Sequence, residues 1–92
     1  MVPSYLVETY LAQAHAAERT AREARARSAA EELTRGGTRV RFERALHLPE
    51  DELCFFVFAA PSSRDAALAA ERAELRPIRV VEAIPTGEEN SA

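Results

Sequence analysis

The sequence predicts a single α+β domain in which two helices pack on a four-stranded antiparallel sheet. The chain has 92 residues, which leaves room for one domain, and 47% of them are hydrophobic, as in ordinary globular proteins. Long alanine-rich segments alternate with short segments rich in β-branched and aromatic residues. The predicted element order is therefore β-α-β-β-α-β.

The N-terminal third of the chain predicts a strand followed by a long helix. Residues 4–11 are rich in β-branched and aromatic side chains, which favours a strand. Residues 14–33 contain no Gly or Pro and consist mainly of Ala, Glu and Arg, which have the best helix propensities. Gly36 and Gly37 then end the helix in the usual C-terminal manner.

Residues 38–48 alternate between apolar and polar side chains, which is typical of a half-buried strand. On this alternation one face carries Val40, Phe42, Leu46 and Leu48. The other face carries Arg39, Arg41, Glu43 and His47. Arg44 and Ala45 blur the pattern without destroying it.

The third predicted strand, residues 52–60, is apolar on both faces, so we expect it at the centre of the sheet. Ser62 is a suitable N-cap for the second helix, because Asp65 follows three residues later as a variant of the capping box. Residues 78–84 predict the last strand.

The predicted order is that of the split β-α-β, or ferredoxin-like, arrangement, and we assign it to residues 1–84. The polar segment 85–92 is expected to be a disordered tail. Two helices cover only one face of such a sheet, and a chain this short buries only about 60–65% of its unfolded surface. We therefore expect a homodimer packed sheet to sheet.

Alternation along the strands predicts a ligand pocket on the uncovered face, with apolar walls and a few polar groups. If Val7 faces the helices, Glu8 and Tyr10 face the other way. If Val81 points towards the helices, Glu82 lies on the uncovered face with them. The predicted ligand-binding residues are Glu8, Tyr10, Arg41, Phe56 and Glu82. A register shift of one residue would reverse this assignment, and the two glutamates could equally pair with arginines across the dimer.

His47 and Cys54 are the candidate metal ligands, because imidazole and thiolate are common donors to transition metals. The spacing includes no CxxC or HxxxH motif. The alternative for Cys54, in the middle of an apolar strand, is a buried inert thiol. The alternative for His47, next to a turn, is a solvated side chain.

Composition argues against other partners and compartments. All 12 basic residues are arginine and the net charge is −3, whereas a general nucleic-acid binder needs excess positive charge. No apolar run approaches the roughly 18 residues of a membrane span. With no signal-peptide pattern and one cysteine, the chain is expected to be cytoplasmic.

Four short segments resemble the DUF4242 family, a group of small actinobacterial proteins sometimes called nickel-binding-protein-like. They are residues 5–8 (YLVE), 49–55 (PEDELCF), 60–62 (APS) and 78–83 (IRVVEA). The resemblance implies a ferredoxin-like homodimer and nickel binding. Members often carry a histidine in the second helix near Glu71, and this sequence has none there. The matched positions that would carry a shared function are Glu8, Cys54 and Glu82.

Two functions follow as expectations. The first is a homodimeric binding protein that holds nickel or a small ligand in the cavity between the sheets. The second is a small cofactor-free enzyme, of the monooxygenase, cyclase or isomerase type, acting on an aromatic or polyketide-like substrate. In that enzyme Glu8 or His47 would be the base, while Tyr10 and an arginine would stabilise an enolate oxygen.

Overall fold

The computed structural model describes residues 2–86 and contains four strands and two α-helices in the predicted order. Their bounds are β1 (Ser4–Tyr10), α1 (Arg19–Arg35), β2 (Arg41–Leu48), β3 (Leu53–Ala59), α2 (Ser63–Arg72) and β4 (Arg79–Ala83). The strands form one antiparallel sheet in the order β2-β3-β1-β4, with β1 and β3 at the centre. The predicted ferredoxin-like α+β fold is confirmed, and most of the predicted tail, from residue 87 onward, lies outside the described residues.

Both helices cover the same face of the sheet. On the central strands, every second side chain is buried on this face: Tyr5, Val7, Thr9, Cys54, Phe56 and Phe58. The helices meet them mainly with alanines, among them Ala26, Ala30, Ala66 and Ala70. Small side chains let the helix backbones approach the sheet closely, and the largest fully buried side chains are Phe56 and Phe58 of the sheet.

The first helix is shorter than predicted, because the segment Gln13–Glu18 is a 3₁₀ helix with a break at His15. The backbone here is held by the β2–β3 connection rather than by α-helical bonds. Gln13 N donates to the Glu52 carboxylate over 2.9 Å, and Leu11 N donates to the Glu52 carbonyl over 2.8 Å. The backbone N–H groups of Leu11 and Gln13 are therefore bonded to Glu52 ahead of the helix. The regular α-helix begins only at Arg19.

A β-bulge in β2 reverses which side chains face the helices. Phe42 pairs with Phe58 on the helix-covered face, the register shifts across Glu43, and Arg44 then pairs with Val57 on the other face. Because one extra residue changes the parity of everything beyond it, Leu46 and Leu48 turn away from the helices. His47 turns towards them. The predicted faces of Leu46, His47 and Leu48 were therefore wrong. Phe42 and Glu43 lie on the faces that were predicted.

The register of β4 also differs from the prediction. Val80 pairs with Val7 and packs against the core, while Glu82 pairs with Tyr5 and shares its face. Val81 pairs with Leu6 on the uncovered face. Each side chain of β4 therefore faces opposite to the prediction. Val80 is packed beside Val7 on the helix-covered face, so the adjacent residues Arg79 and Val81 face the uncovered side.

Helix α2 begins and ends in recognisable capping motifs. Ser62 Oγ accepts a hydrogen bond from Asp65 N over 3.2 Å, which confirms the predicted N-cap. At the other end Leu75 N donates to the Ala70 carbonyl, and Glu74 lies between them with φ = 58°. This is the left-handed position of a Schellman motif, where glycine is the usual residue.

We predict that Glu74→Gly stabilises the protein by about 1 kcal/mol, because glycine removes the cost of a Cβ atom in left-handed backbone. The Glu74 side chain is exposed, so its loss removes little packing. Urea unfolding at one protein concentration measures the effect. Glu74→Ala controls for loss of the side chain, and Glu71→Gly, inside the helix, should destabilise by about 1 kcal/mol. Equal stability of the Gly and Ala variants at position 74 would contradict the assignment.

Candidate functional site

The candidate site is the face of the sheet that the helices leave uncovered, here called the open face. Its apolar centre consists of Leu6, Leu46, Leu48, Phe55, Val57 and Val81. Leu46 and Leu48, both on β2, are 46% and 37% exposed. A continuous apolar surface of this kind marks an interaction or ligand site.

One end of the open face is hollowed into a groove of about 690 Å³, here called the bulge groove. It lies where β1 begins, β2 bulges and β4 ends. Its walls combine apolar and charged side chains, including Ser4, Leu6, Arg41, Glu43, Arg44, Leu46, Val57 and Ile84. Its volume falls within the range of small-molecule sites.

One of the two arginines in the bulge groove has no ion-pair partner among residues 2–86. The Glu43 carboxylate accepts hydrogen bonds from Arg41 Nη2 over 2.9 Å and from Ser4 Oγ over 3.1 Å. Arg44 lies opposite Val57 and makes no ion pair or hydrogen bond within residues 2–86. The described part of the groove therefore presents one uncompensated positive charge beside apolar walls.

At the other end of the open face the polar groups are paired with one another. The Glu8 carboxylate accepts from Arg79 Nε over 2.8 Å, in a direct cross-strand pair. Tyr10 Oη donates to the Glu52 carboxylate over 3.3 Å. The negative charge of Glu52 raises the pKa of the Tyr10 phenol above its usual value of 10.0.

The open face carries three of the five predicted ligand-binding residues. Glu8, Tyr10 and Arg41 lie on it, and their role in binding stays a prediction. Phe56 does not, because it is fully buried beneath the helices, opposite Val7. The phenylalanine of β3 that lies on the open face is the preceding one, Phe55.

Glu82 was also assigned to the wrong face. It shares the helix-covered face of edge strand β4 with Tyr5, and its side chain is exposed there. Glu8 and Glu82 therefore lie on opposite faces of the sheet. The predicted pair of carboxylates in one cavity does not form, because β4 pairs with β1 one residue away from the expected orientation.

The two predicted metal ligands lie directly opposite each other, but on the helix-covered face. His47 pairs with Cys54 across β2 and β3. Cys54 is a fully buried free thiol, and His47 Nε2 is buried without a hydrogen-bond partner among the described residues. Side chains directly opposite in a sheet come within about 4.5–5.5 Å at Cβ.

These two donors do not fit a nickel centre between two sheets. Residues 2–86 contain no group of three or more His, Cys, Asp or Glu side chains placed to hold an ion, whereas square-planar nickel takes four ligands. His47 and Cys54 also point towards their own helices. A second copy packed on the open face could not complete their coordination.

Arg44, Ser4 and Leu46 were missing from the predicted site, although one signal for them was present in the sequence. The alternation of residues 38–48 fails at Arg44 and Ala45. An interrupted alternation is what a β-bulge produces, because the bulged strand contributes two residues opposite one. Taking the interruption as a bulge would have placed Arg44 and Leu46 on the open face.

We predict that nickel does not bind at His47 and Cys54, because these residues form an incomplete ligand set. Calorimetric titration of nickel into tag-free, metal-stripped protein should give the same heats for the wild type and for His47→Ala. A wild-type site at micromolar or tighter affinity that His47→Ala removes would contradict this expectation.

We predict that Cys54 makes folding stability fall at alkaline pH. Burial raises the pKa of the Cys54 thiol above its ordinary value of 9.0. As pH rises through the ordinary thiol range, the unfolded chain loses its proton first, and ionisation favours the unfolded state. The free energy of unfolding, measured in urea between about pH 7 and 9.5, should fall with pH. Cys54→Ala should flatten this slope, and identical slopes would contradict the account.

Comparisons of this chain with protein-family models, curated proteins and solved structures found no match. The resemblance to the DUF4242 family therefore stays a prediction. Within the described residues, no helix has the length and apolar character needed to cross a membrane.

Proposed function

We propose that this protein is a homodimeric binding protein whose two open faces pack together and enclose a small ligand. The observation that carries the proposal is the apolar character of the open face. The β-bulge adds to it, because it turns Leu46 and Leu48 to this face. In water such a surface lowers its free energy by burial.

A second copy is the simplest cover for this face. The chain forms a slab only 19 Å thin in its shortest dimension, which corresponds to one sheet and one helix layer. A sheet packed face to face lies about 10 Å away and would complete a second core from the same side chains. A twofold interface uses one surface patch twice, so no further partner has to be invoked.

The ligand would occupy the bulge groove, since this is where the open face is concave. The packed apolar side chains would exclude water, while Arg44 and the polar cluster of Ser4, Arg41 and Glu43 would orient a polar end of the ligand. Apolar walls with a few convergent polar groups are the usual composition of small-molecule sites.

The enzyme alternative is less favoured by the same geometry. A general base must reach the proton that it removes, within hydrogen-bond distance or through one water. Glu8 is held by Arg79, Tyr10 donates to Glu52, and His47 lies on the opposite face of the sheet. The groups assigned to acid–base chemistry therefore do not converge on one point of the open face.

We also propose the cytoplasm as the compartment. Its support is the single cysteine of the chain, a buried free thiol that forms no disulfide.

We predict that Leu46→Glu converts a dimer to a monomer. The wild type should show twice the chain mass of 10.1 kDa in light scattering coupled to gel filtration. Leu46→Glu adds a charge at the centre of the proposed interface and should give the single-chain mass. Its far-UV circular dichroism should be unchanged, because Leu46 is 46% exposed in one chain and contributes little to the core.

Ala24→Glu is the matched control, because it places the same charge on an exposed position of α1, in the helix layer. This variant should keep the dimer mass. A wild-type protein that stays monomeric from about 1 to 200 µM would overturn the proposed dimer. A dimer that dissociates at these concentrations would not form a stable ligand cavity. A Leu46→Glu variant that stays dimeric would place the interface elsewhere.

A further inference from the structure

We propose that the bulge groove selects small apolar carboxylates, with the Arg44 guanidinium holding the carboxylate. This inference rests on the proposed function, because the second copy closes the groove into a cavity. It adds the chemical class of the ligand and the residue that recognises it.

The backbone places Arg44 in the groove for a local reason. A β-bulge disrupts the ladder and costs pairing, and bulges are found where a strand must re-aim a side chain, often beside a site. Here the shift across Glu43 turns Arg44 to the open face, opposite Val57 and within the groove. Uninterrupted alternation from Phe42 would instead have turned it to the helix-covered side.

The charge balance of the groove favours a ligand with one negative charge. The Glu43 carboxylate is already satisfied by Arg41 and Ser4. Arg44 has no counter-ion among residues 2–86, so one anion would neutralise the groove. A phosphate dianion would exceed that single charge, whereas a planar carboxylate matches the two-pronged hydrogen-bond geometry of one guanidinium.

The walls beside Arg44 favour an apolar ligand body. Leu6, Leu46 and Val57 line the floor of the groove, and Ile84, which is 71% exposed, lies at its rim. A ligand that covers these side chains removes apolar surface from water, both its own and that of the groove. The volume of about 690 Å³ accommodates a bicyclic aromatic body.

Two probes with the same aromatic ring, one with a charged and one with a neutral polar group, test this inference. The acid probe is 2-naphthylacetate and the neutral probe is 2-(2-naphthyl)ethanol, which have the same ring system. Each is titrated into isotopically labelled protein, and the amide shifts of Leu6 and Val57 and the Nε–Hε shift of Arg44 are followed by NMR. The wild type should bind the acid about tenfold more tightly than the alcohol, as expected for a charge-assisted hydrogen bond.

Arg44→Met keeps the length and apolar stem of the side chain and removes its charge. It should reduce affinity for the acid about tenfold and leave affinity for the alcohol unchanged. Arg64→Met is the matched control, because it removes the same charge from an exposed position of α2 in the helix layer. This control should retain the preference of the wild type for the acid.

The outcomes separate this inference from the proposed dimer when molar mass is measured on the same samples. Equal affinity for acid and alcohol in a dimeric wild type, or the absence of saturable shifts with either probe, overturns the inference and leaves the dimer standing. An acid preference that Arg44→Met leaves intact overturns the role of Arg44. An acid preference that Arg44→Met abolishes in a monomeric protein supports the inference and overturns the dimer.

Discussion

The packing of two helices against one side of a four-stranded sheet is the constraint on which the other features depend. The helices bury the alternate side chains of β1 and β3, including Val7, Phe56 and Phe58, and these side chains form the core. The alanines of the helices are too small to form a core by themselves. The other alternate side chains of these two strands, including Leu6 and Phe55, are left on the open face. The apolar open face is a direct consequence of this packing, because both helices cover the other face of the sheet.

The bulge at Glu43 is the second determinant, because it distributes the side chains of β2 between the two faces. Phe42 remains in contact with the core, while Leu46 and Leu48 join the open face. Placing these leucines outside gives up burial within one chain. In the proposed dimer the second copy buries Leu46 and Leu48 and restores this lost burial. The same bulge places Arg44 in the groove.

The fold does not identify the function of this chain, because one fold hosts many unrelated activities. The polar groups that suggested acid–base chemistry are each engaged elsewhere: Glu8 with Arg79, and Tyr10 with Glu52. His47 and Cys54 are neighbours, yet they face the helices and supply only two donors. What is left without an internal partner among residues 2–86 is an apolar groove with one arginine, and this combination favours the proposed binding function over catalysis.

The sequence by itself determined the elements and their order, because these depend on local properties. Residue propensity, the N-cap at Ser62 and the glycines after α1 act within a few positions. It also determined the alternation within β1, where no bulge intervenes, and so Glu8 and Tyr10 were placed on the correct face. Only the tertiary structure decided the faces of Leu46, His47, Phe56 and Glu82. The physical reason is that a strand has a period of two, so pairing with a neighbour offset by a single residue reverses every side chain beyond that point.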